Sequence, residues 1–143
     1  TNEGINQQVK TAASIRKVPI HTELIRLGLI EYALNISKQG HQSLWPKLRM
    51  RKNKPGGYFS NWFSEWKSII GLTAVDYHCY RHTVRSQLAE KDIPEGVIDT
   101  ILGHEIKGST GAKVYTHRSL QDLNKAIQNL KYPAMNLPRT YTH

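Results

Sequence analysis

Apolar residues return at helical spacing in five separate stretches of this chain, and glycine, proline or a capping residue stands at most of their ends. Ile25, Leu29, Tyr32 and Ile36 repeat at i+4, i+7 and i+11, with Gly40 as the stop. Phe59, Trp62, Phe63, Trp66, Ile69 and Ile70 follow the breaker Pro55-Gly56-Gly57 and form one strongly apolar stripe. Tyr80, Val84 and Leu88 lie behind Asp76, a residue suited to cap a helix. Val97, Ile98, Ile101 and Leu102 come next. Asp92 and Glu95 ahead of them have the spacing of a capping box, Pro94 suits a first turn, and Gly103 is a natural stop. Leu120, Leu123, Ile127 and Leu130 mark a last helix. The Phe59–Ile70 stripe has the period of a buried helix face, so its aromatics are expected in the core and not as platforms for stacked bases.

Residues 5 to 20 read differently. A short β-like stretch leads through a turn at Lys10-Thr11-Ala12-Ala13-Ser14 to Arg16-Lys17-Val18-Pro19-Ile20. Pro19 cannot donate to a ladder, which makes the second strand short or places it at an edge. The fold class expected is therefore α+β, mainly α, with a small antiparallel hairpin or sheet at the N-terminal side. Residues 41 to 57 connect the first two helices and carry a basic run, Lys47, Arg49, Arg51, Lys52 and Lys54. Residues 132 to 143 read as a tail after a single domain over 1 to 131. No internal repeat and no domain linker are visible.

Twenty Lys and Arg face 11 acidic residues, a net charge of +9, and the isoelectric point is near 9.8. A polyanionic partner follows most directly, nucleic acid first, because cations that neutralise phosphates release condensed counterions. One cysteine excludes an intrachain disulfide framework and fits a reducing compartment. No apolar run reaches the roughly 18 to 20 residues of a membrane span. Thr1-Asn2-Glu3-Gly4 has no initiator methionine, so the sequence is expected to be a piece of a longer protein.

The residues able to carry chemistry concentrate in one half. On a helix, His78, Arg81, His82 and Arg85 fall at i, i+3, i+4 and i+7 and share a face. Such a group of cations calls for something negative opposite, and a phosphate or an acidic partner would both serve. Arg81 has the planar fork that pairs with two phosphate oxygens at once, although an ordinary salt bridge explains a lone arginine equally well. For His82 an inward, bracing ring is the expected role. A zinc reading of His78 and His82 fails on Cys79, which stands where the metalloprotease pattern needs Glu. His104 follows a helix-stopping glycine, and by itself reads as a surface histidine. Tyr115, a phenol of ordinary pKa near 10, would need cationic neighbours to become a nucleophile. It sits just after the polar segment from Glu105 to Gly111, which could carry it against an Arg/His cluster.

Taken in order, His78-x-x-Arg81-His82-Thr83, Leu102-Gly103-His104 and Tyr115-x-His117 resemble the catalytic core of the tyrosine recombinases, the phage-type integrases. Lys10-Thr11-x-x-Ser14-x-Arg16-x-Val18-Pro19-Ile20-His21 is similar to the hairpin segment of that family. The resemblance runs from about residue 7 to residue 130. It implies site-specific recombination, the integration or excision of phage or mobile-element DNA, through a 3′-phosphotyrosyl intermediate. Tyr115 would attack the scissile phosphate. Arg81 would bind the non-bridging oxygens and offset transition-state charge. Lys10, with Lys17 as its competitor, would protonate the 5′-oxygen leaving group. His78 would take or position the tyrosine proton, and His104 would hydrogen-bond the phosphate. Lys10, Arg81, His104 and Arg85 make up the expected phosphate-binding set. The implied partners are double-stranded DNA and other recombinase protomers in a tetrameric synapse, in the bacterial cytoplasm or nucleoid, with a C-terminal tail able to pack on a neighbouring protomer. The resemblance implies no metal, cofactor or small-molecule ligand, and no membrane.

Two readings stand beside it: a degenerate relative that holds DNA without cutting it, and a type IB topoisomerase. The family uses a second arginine upstream of the hairpin, and Arg16, Arg26, Arg49 and Arg51 do not match its context. Loss of one charge-assisted clamp costs on the order of 2 to 4 kcal/mol of transition-state stabilisation. These 143 residues alone are therefore expected to cleave DNA weakly or not at all. An assay on nicked suicide substrates checks this, and a robust covalent adduct at Tyr115 would contradict it.

Overall fold

The computed structural model describes residues 15–48, 56–104, 119–133 and 136–141. Six helices cover them: α1 (Thr22–Arg26), α2 (Leu29–Lys38), α3 (Gly57–Ile69), α4 (Tyr77–Ala89), α5 (Glu95–Leu102) and α6 (Leu120–Gln128). No strand occurs among the described residues, so the expected α+β class is corrected to helical there. Residues 15–20, the second arm of the expected hairpin, run without regular structure, and the first arm lies outside the described residues. The reason is visible in where that segment's polar groups go. The Ile20 carbonyl accepts from the Gln128 side chain at 3.2 Å, and the Arg16 side chain donates to the Ile101 carbonyl at 2.9 Å. The segment is thus tied to the ends of α6 and α5 by side chains, and Pro19 offers no N–H to a ladder.

The core is one apolar seam between α4, α5 and α6. Leu88 is wholly removed from solvent among Val97, Ile98, Ile101 and Leu102 of α5, Leu123, Ala126 and Ile127 of α6, and Leu130. Val84 and Ile93 pack along its edge. The expected inward face of α5 is buried throughout, and on α6 Leu123 and Ile127 are buried with Leu130 just past its end, while Leu120 is exposed. No helix among the described residues is long and apolar enough to cross a membrane.

Asp76 caps α4 as its residue type suggests, its carboxylate accepting from the Cys79 N–H at 3.0 Å. The capping box expected of Asp92 and Glu95 does not form. Asp92 has a φ of +54°, and the Asp92 and Ile93 amides bond back to Ala89 and Leu88. These paired bonds are those of a helix-ending motif in which the left-handed residue closes the helix before it. Asp92 is used to stop α4, and Pro94 starts α5 without a side-chain cap.

The α3 stripe is also corrected. Phe63 is buried, but Trp62 is 53 % and Ile69 82 % exposed, and Phe59 and Trp66 are exposed as well. Their rings pack mainly on one another and, through Phe63 and Phe59, on Tyr77 and Tyr80 at the start of α4. A helical period identifies a face, not what covers it.

The first expected helix divides at Leu27–Gly28. Gly28 has a φ of +94° and a Cβ there would lie 2.7 Å from the Tyr141 carbonyl oxygen. The tail folds back onto this break in its own chain. The Leu27 carbonyl accepts from the amides of Thr140 and Tyr141, Arg139 pairs with Glu31 at 2.9 Å, and the Tyr141 ring meets Tyr32 edge-on. Gly28→Ala is expected to cost about 1 to 2 kcal/mol from the left-handed backbone alone. It should also expose the bond after Arg139 to trypsin. Urea denaturation and timed proteolysis check the two effects, and an unchanged tail would show that its seat does not need this glycine.

Candidate phosphate site at the end of α5

α5 ends in the same manner as α4. Gly103 has a φ of +69°, its N–H bonds to Thr100 at 3.3 Å, and the His104 N–H bonds to the Asp99 carbonyl at 3.0 Å. This pair of bonds folds the residue after the glycine back over the last turn of the helix. Leu102 is held in the core, Gly103 supplies the left-handed turn, and His104 is brought beside Asp99. The Leu-Gly-His sequence is thus a device for placing an imidazole at a fixed point.

α4 runs alongside and brings its cations to that point. Arg81 Nε donates to His104 Nε2 at 3.2 Å, joining two residues 23 apart in sequence. Arg85, one turn on, faces carboxylates. Its guanidinium donates to Asp99 Oδ1 at 2.8 Å and to Glu95 Oε1 at 2.6 Å. His104 Nδ1 lies 3.3 Å from the same Asp99 oxygen. The Asp99 side chain is only 16 % exposed. Burial pushes its carboxyl up, but hydrogen bonds from Arg85 and His104 outweigh burial and hold it below the usual carboxylate range. The same hydrogen bond, which Arg85 donates to Asp99, raises Arg85 further above an already high value.

The expected site residues divide accordingly. Arg81 and His104 are together, and no carboxylate pairs with Arg81 among the described residues. Arg85, expected as a phosphate contact, has both ends of its fork on Asp99 and Glu95. His78 and His82 are exposed, with ring centroids 6.0 Å apart, so His82 does not turn inward as a brace. Lys10 and Tyr115 lie outside the described residues. Lys17 is exposed, on the segment that Arg16 fastens to the end of α5. Asp99 escaped the sequence reading. Its signal was available, because an acidic residue five positions before His104, across a helix-ending glycine, meets the residue that follows that glycine.

A helical module that gathers an arginine and an imidazole from separate elements, with no acid on that arginine among the described residues, has the makings of a phosphate-handling site, and the chain is similar to a tyrosine recombinase. The chain is 29% identical over 140 aligned residues to a tyrosine recombinase XerC-like protein of Caldanaerobacter subterraneus subsp. tengcongensis, an alignment covering 88% of this chain and 34% of the relative. That similarity supports the family resemblance drawn from the motifs, and the chain spans about a third of the relative's length. No family model matches the chain, and no solved structure matches it.

The ion pairing at Asp99 carries a pH dependence. Its carboxyl sits below the ordinary aspartate value of 3.8 in the folded chain. The stability it contributes is therefore complete above that value and is lost as pH falls through the depressed folded one. Asp99→Asn should destabilise the protein at neutral pH, and the gap from wild type should close on acidification below the ordinary aspartate value. Urea denaturation across pH checks this; a gap independent of pH would locate the cost in packing instead.

Proposed function

We propose that this chain takes part in site-specific DNA recombination, breaking and rejoining strands through a phosphotyrosyl link. The observation that carries the reading is the Arg81–His104 contact at 3.2 Å. Two residues singled out by separate motifs meet there, and neither is needed to hold the core. Arg81 lacks an acidic partner among the described residues, so its fork remains available for two non-bridging phosphate oxygens. The similarity to a tyrosine recombinase supports the same chemistry.

In this reading Tyr115 attacks the scissile phosphorus, a P–O bond forms to its phenolic oxygen, and the bond to the 5′-oxygen breaks. Lys10 gives its proton to that leaving oxygen, and His78 takes or positions the proton released by the tyrosine. Arg81 and His104 bind the phosphoryl oxygens as charge builds on them. The phosphotyrosyl ester conserves the energy of the broken linkage, so rejoining by a 5′-hydroxyl requires no nucleotide. The partners proposed are double-stranded DNA and further protomers assembled on it, and the setting is the integration or excision of a phage or other mobile element.

The test is covalent capture. Because these 143 residues alone are expected to cleave weakly or not at all, the full-length gene product is incubated with end-labelled double-stranded fragments of the genome that encodes it, and the mixture is denatured in detergent and precipitated with potassium. Wild type should retain labelled DNA, and Tyr115→Phe should reduce retention on the order of 100-fold or more by removing the nucleophile. Its salt-sensitive DNA affinity should stay nearly unchanged. Adducts that survive in Tyr115→Phe would refute the assigned nucleophile. DNA binding with no adduct in wild type would favour the non-cleaving relative.

A further inference from the structure

Resting on the reading above, we infer that Asp99 is a positioning residue for the reaction: it fixes the orientation and tautomer of His104 so that Nε2 is the atom turned to Arg81 and the bound phosphate. The hydrogen-bond roles leave one consistent assignment. Arg81 Nε carries a proton and has no lone pair, so His104 Nε2, 3.2 Å away, must be the acceptor. A neutral imidazole with a bare Nε2 carries its proton on Nδ1. That Nδ1 lies 3.3 Å from Asp99 Oδ1, an obligate acceptor when ionised. Arg85 Nη1 is also 3.3 Å from Nδ1, but both are then donors, and both point their protons at the Asp99 carboxylate between them.

The backbone makes the same arrangement a second time. Asp99 accepts the His104 N–H through its carbonyl at 3.0 Å, so one residue holds the histidine by main chain and by ring. Asp99 in turn is held by Arg85 at 2.8 Å, and Arg85 by Glu95 at 2.6 Å. The series Glu95, Arg85, Asp99, His104 runs from the first turn of α5 to the residue just past its end. It explains why Arg85 shares a helix face with Arg81 yet does different work. With the Nδ1 proton committed to Asp99, Nε2 is the ring atom that changes protonation: in the neutral ring it accepts from Arg81, and it donates to a phosphate oxygen only after taking up a proton. The titratable and charged groups facing the ring from the packed elements are Arg81 and Arg85 of α4 and Asp99 of α5, with Glu95 one step behind. The logic is that of a carboxylate holding a catalytic imidazole in its working tautomer.

The His21 ring provides an internal control. Its Nδ1 accepts from the Glu23 amide at 3.1 Å and its Nε2 lies 3.2 Å from the Leu130 carbonyl, so it carries its proton on Nε2. The protein with 15N-labelled histidine is examined by long-range proton–nitrogen correlation at a pH where the rings are neutral. His104 should be protonated at Nδ1 and His21 at Nε2. Asp99→Asn should move His104 toward the Nε2–H form and leave His21 unchanged. In single-turnover covalent capture by the full-length gene product on genomic DNA fragments, Asp99→Asn should slow adduct formation on the order of tenfold or more, with DNA affinity and its salt dependence unchanged. Asp99→Glu should recover part of the rate. An Nε2–H His104 in wild type, a tautomer indifferent to Asp99→Asn, or a shifted tautomer with an unaltered cleavage rate would each overturn the inference while leaving Tyr115 chemistry intact. A wild type that forms no adduct at all would sink the reading of the site, and this inference with it.

Discussion

Leu88 lies wholly out of solvent where α4 meets α5, and the placement of everything at the candidate site follows from that packing. Close packing of Leu88 against Val97, Ile98, Ile101 and Leu102 fixes how α5 lies along α4. Interior side chains interdigitate at crystal-like density and leave little freedom to slide. With that register set, the solvent-side face of α4 is opposite the polar edge of α5. Arg81 then falls beside His104, and Arg85 beside Asp99 and Glu95. α6 closes the seam from the other side with Leu123, Ala126 and Ile127, and Gln128 at its end holds the incoming segment at Ile20.

Two left-handed turns bracket α5, one at Asp92 and one at Gly103, and each is a helix ending of the same hydrogen-bond pattern. The first makes the α4–α5 connection short and keeps the two helices in contact. The second projects His104 over the last turn of α5. The contrast between the two arginines of α4 follows from these turns. They are one helical turn apart and chemically identical, yet Arg85 meets two carboxylates and Arg81 meets an imidazole. A half-buried carboxylate such as Asp99 is stabilised by a partner, and Arg85 supplies it with its planar fork. Arg81 is left facing a neutral acceptor, an arrangement that a phosphate could enter without displacing an ion pair.

Much of this was legible in the amino-acid sequence, because helical periodicity and capping chemistry are local. The apolar faces of α5 and α6, the Asp76 cap and the stop at Gly103 all rest on contacts within a few residues. What was misread rested on distant partners. Asp92 has the chemistry of both a helix start and a left-handed stop, and only the packing of Ile93 beside Leu88 selects the second. The α3 aromatics have a core-like period, yet the described structure covers only Phe63 fully. The segment before α1 has strand-like residues, but its polar groups are taken by Gln128 and by the end of α5. The division at Gly28 depends on Tyr141, more than a hundred residues away.

Residue types and their order determined the chemical content of this protein: a basic chain of helical periodicity with an arginine, several imidazoles and a tyrosine in an order that resembles the tyrosine recombinases. Those features are set by composition and by spacing along a single helix, so no folding is needed to read them. Tertiary structure alone decided which cation meets carboxylates, Arg85, and which meets an imidazole, Arg81. Asp99 is silent in the sequence because its role needs three elements at once: a buried seam to hold α5, a left-handed glycine to return His104, and α4 to deliver Arg85. Charge partners are chosen by proximity in space, and that proximity comes from the packing around Leu88.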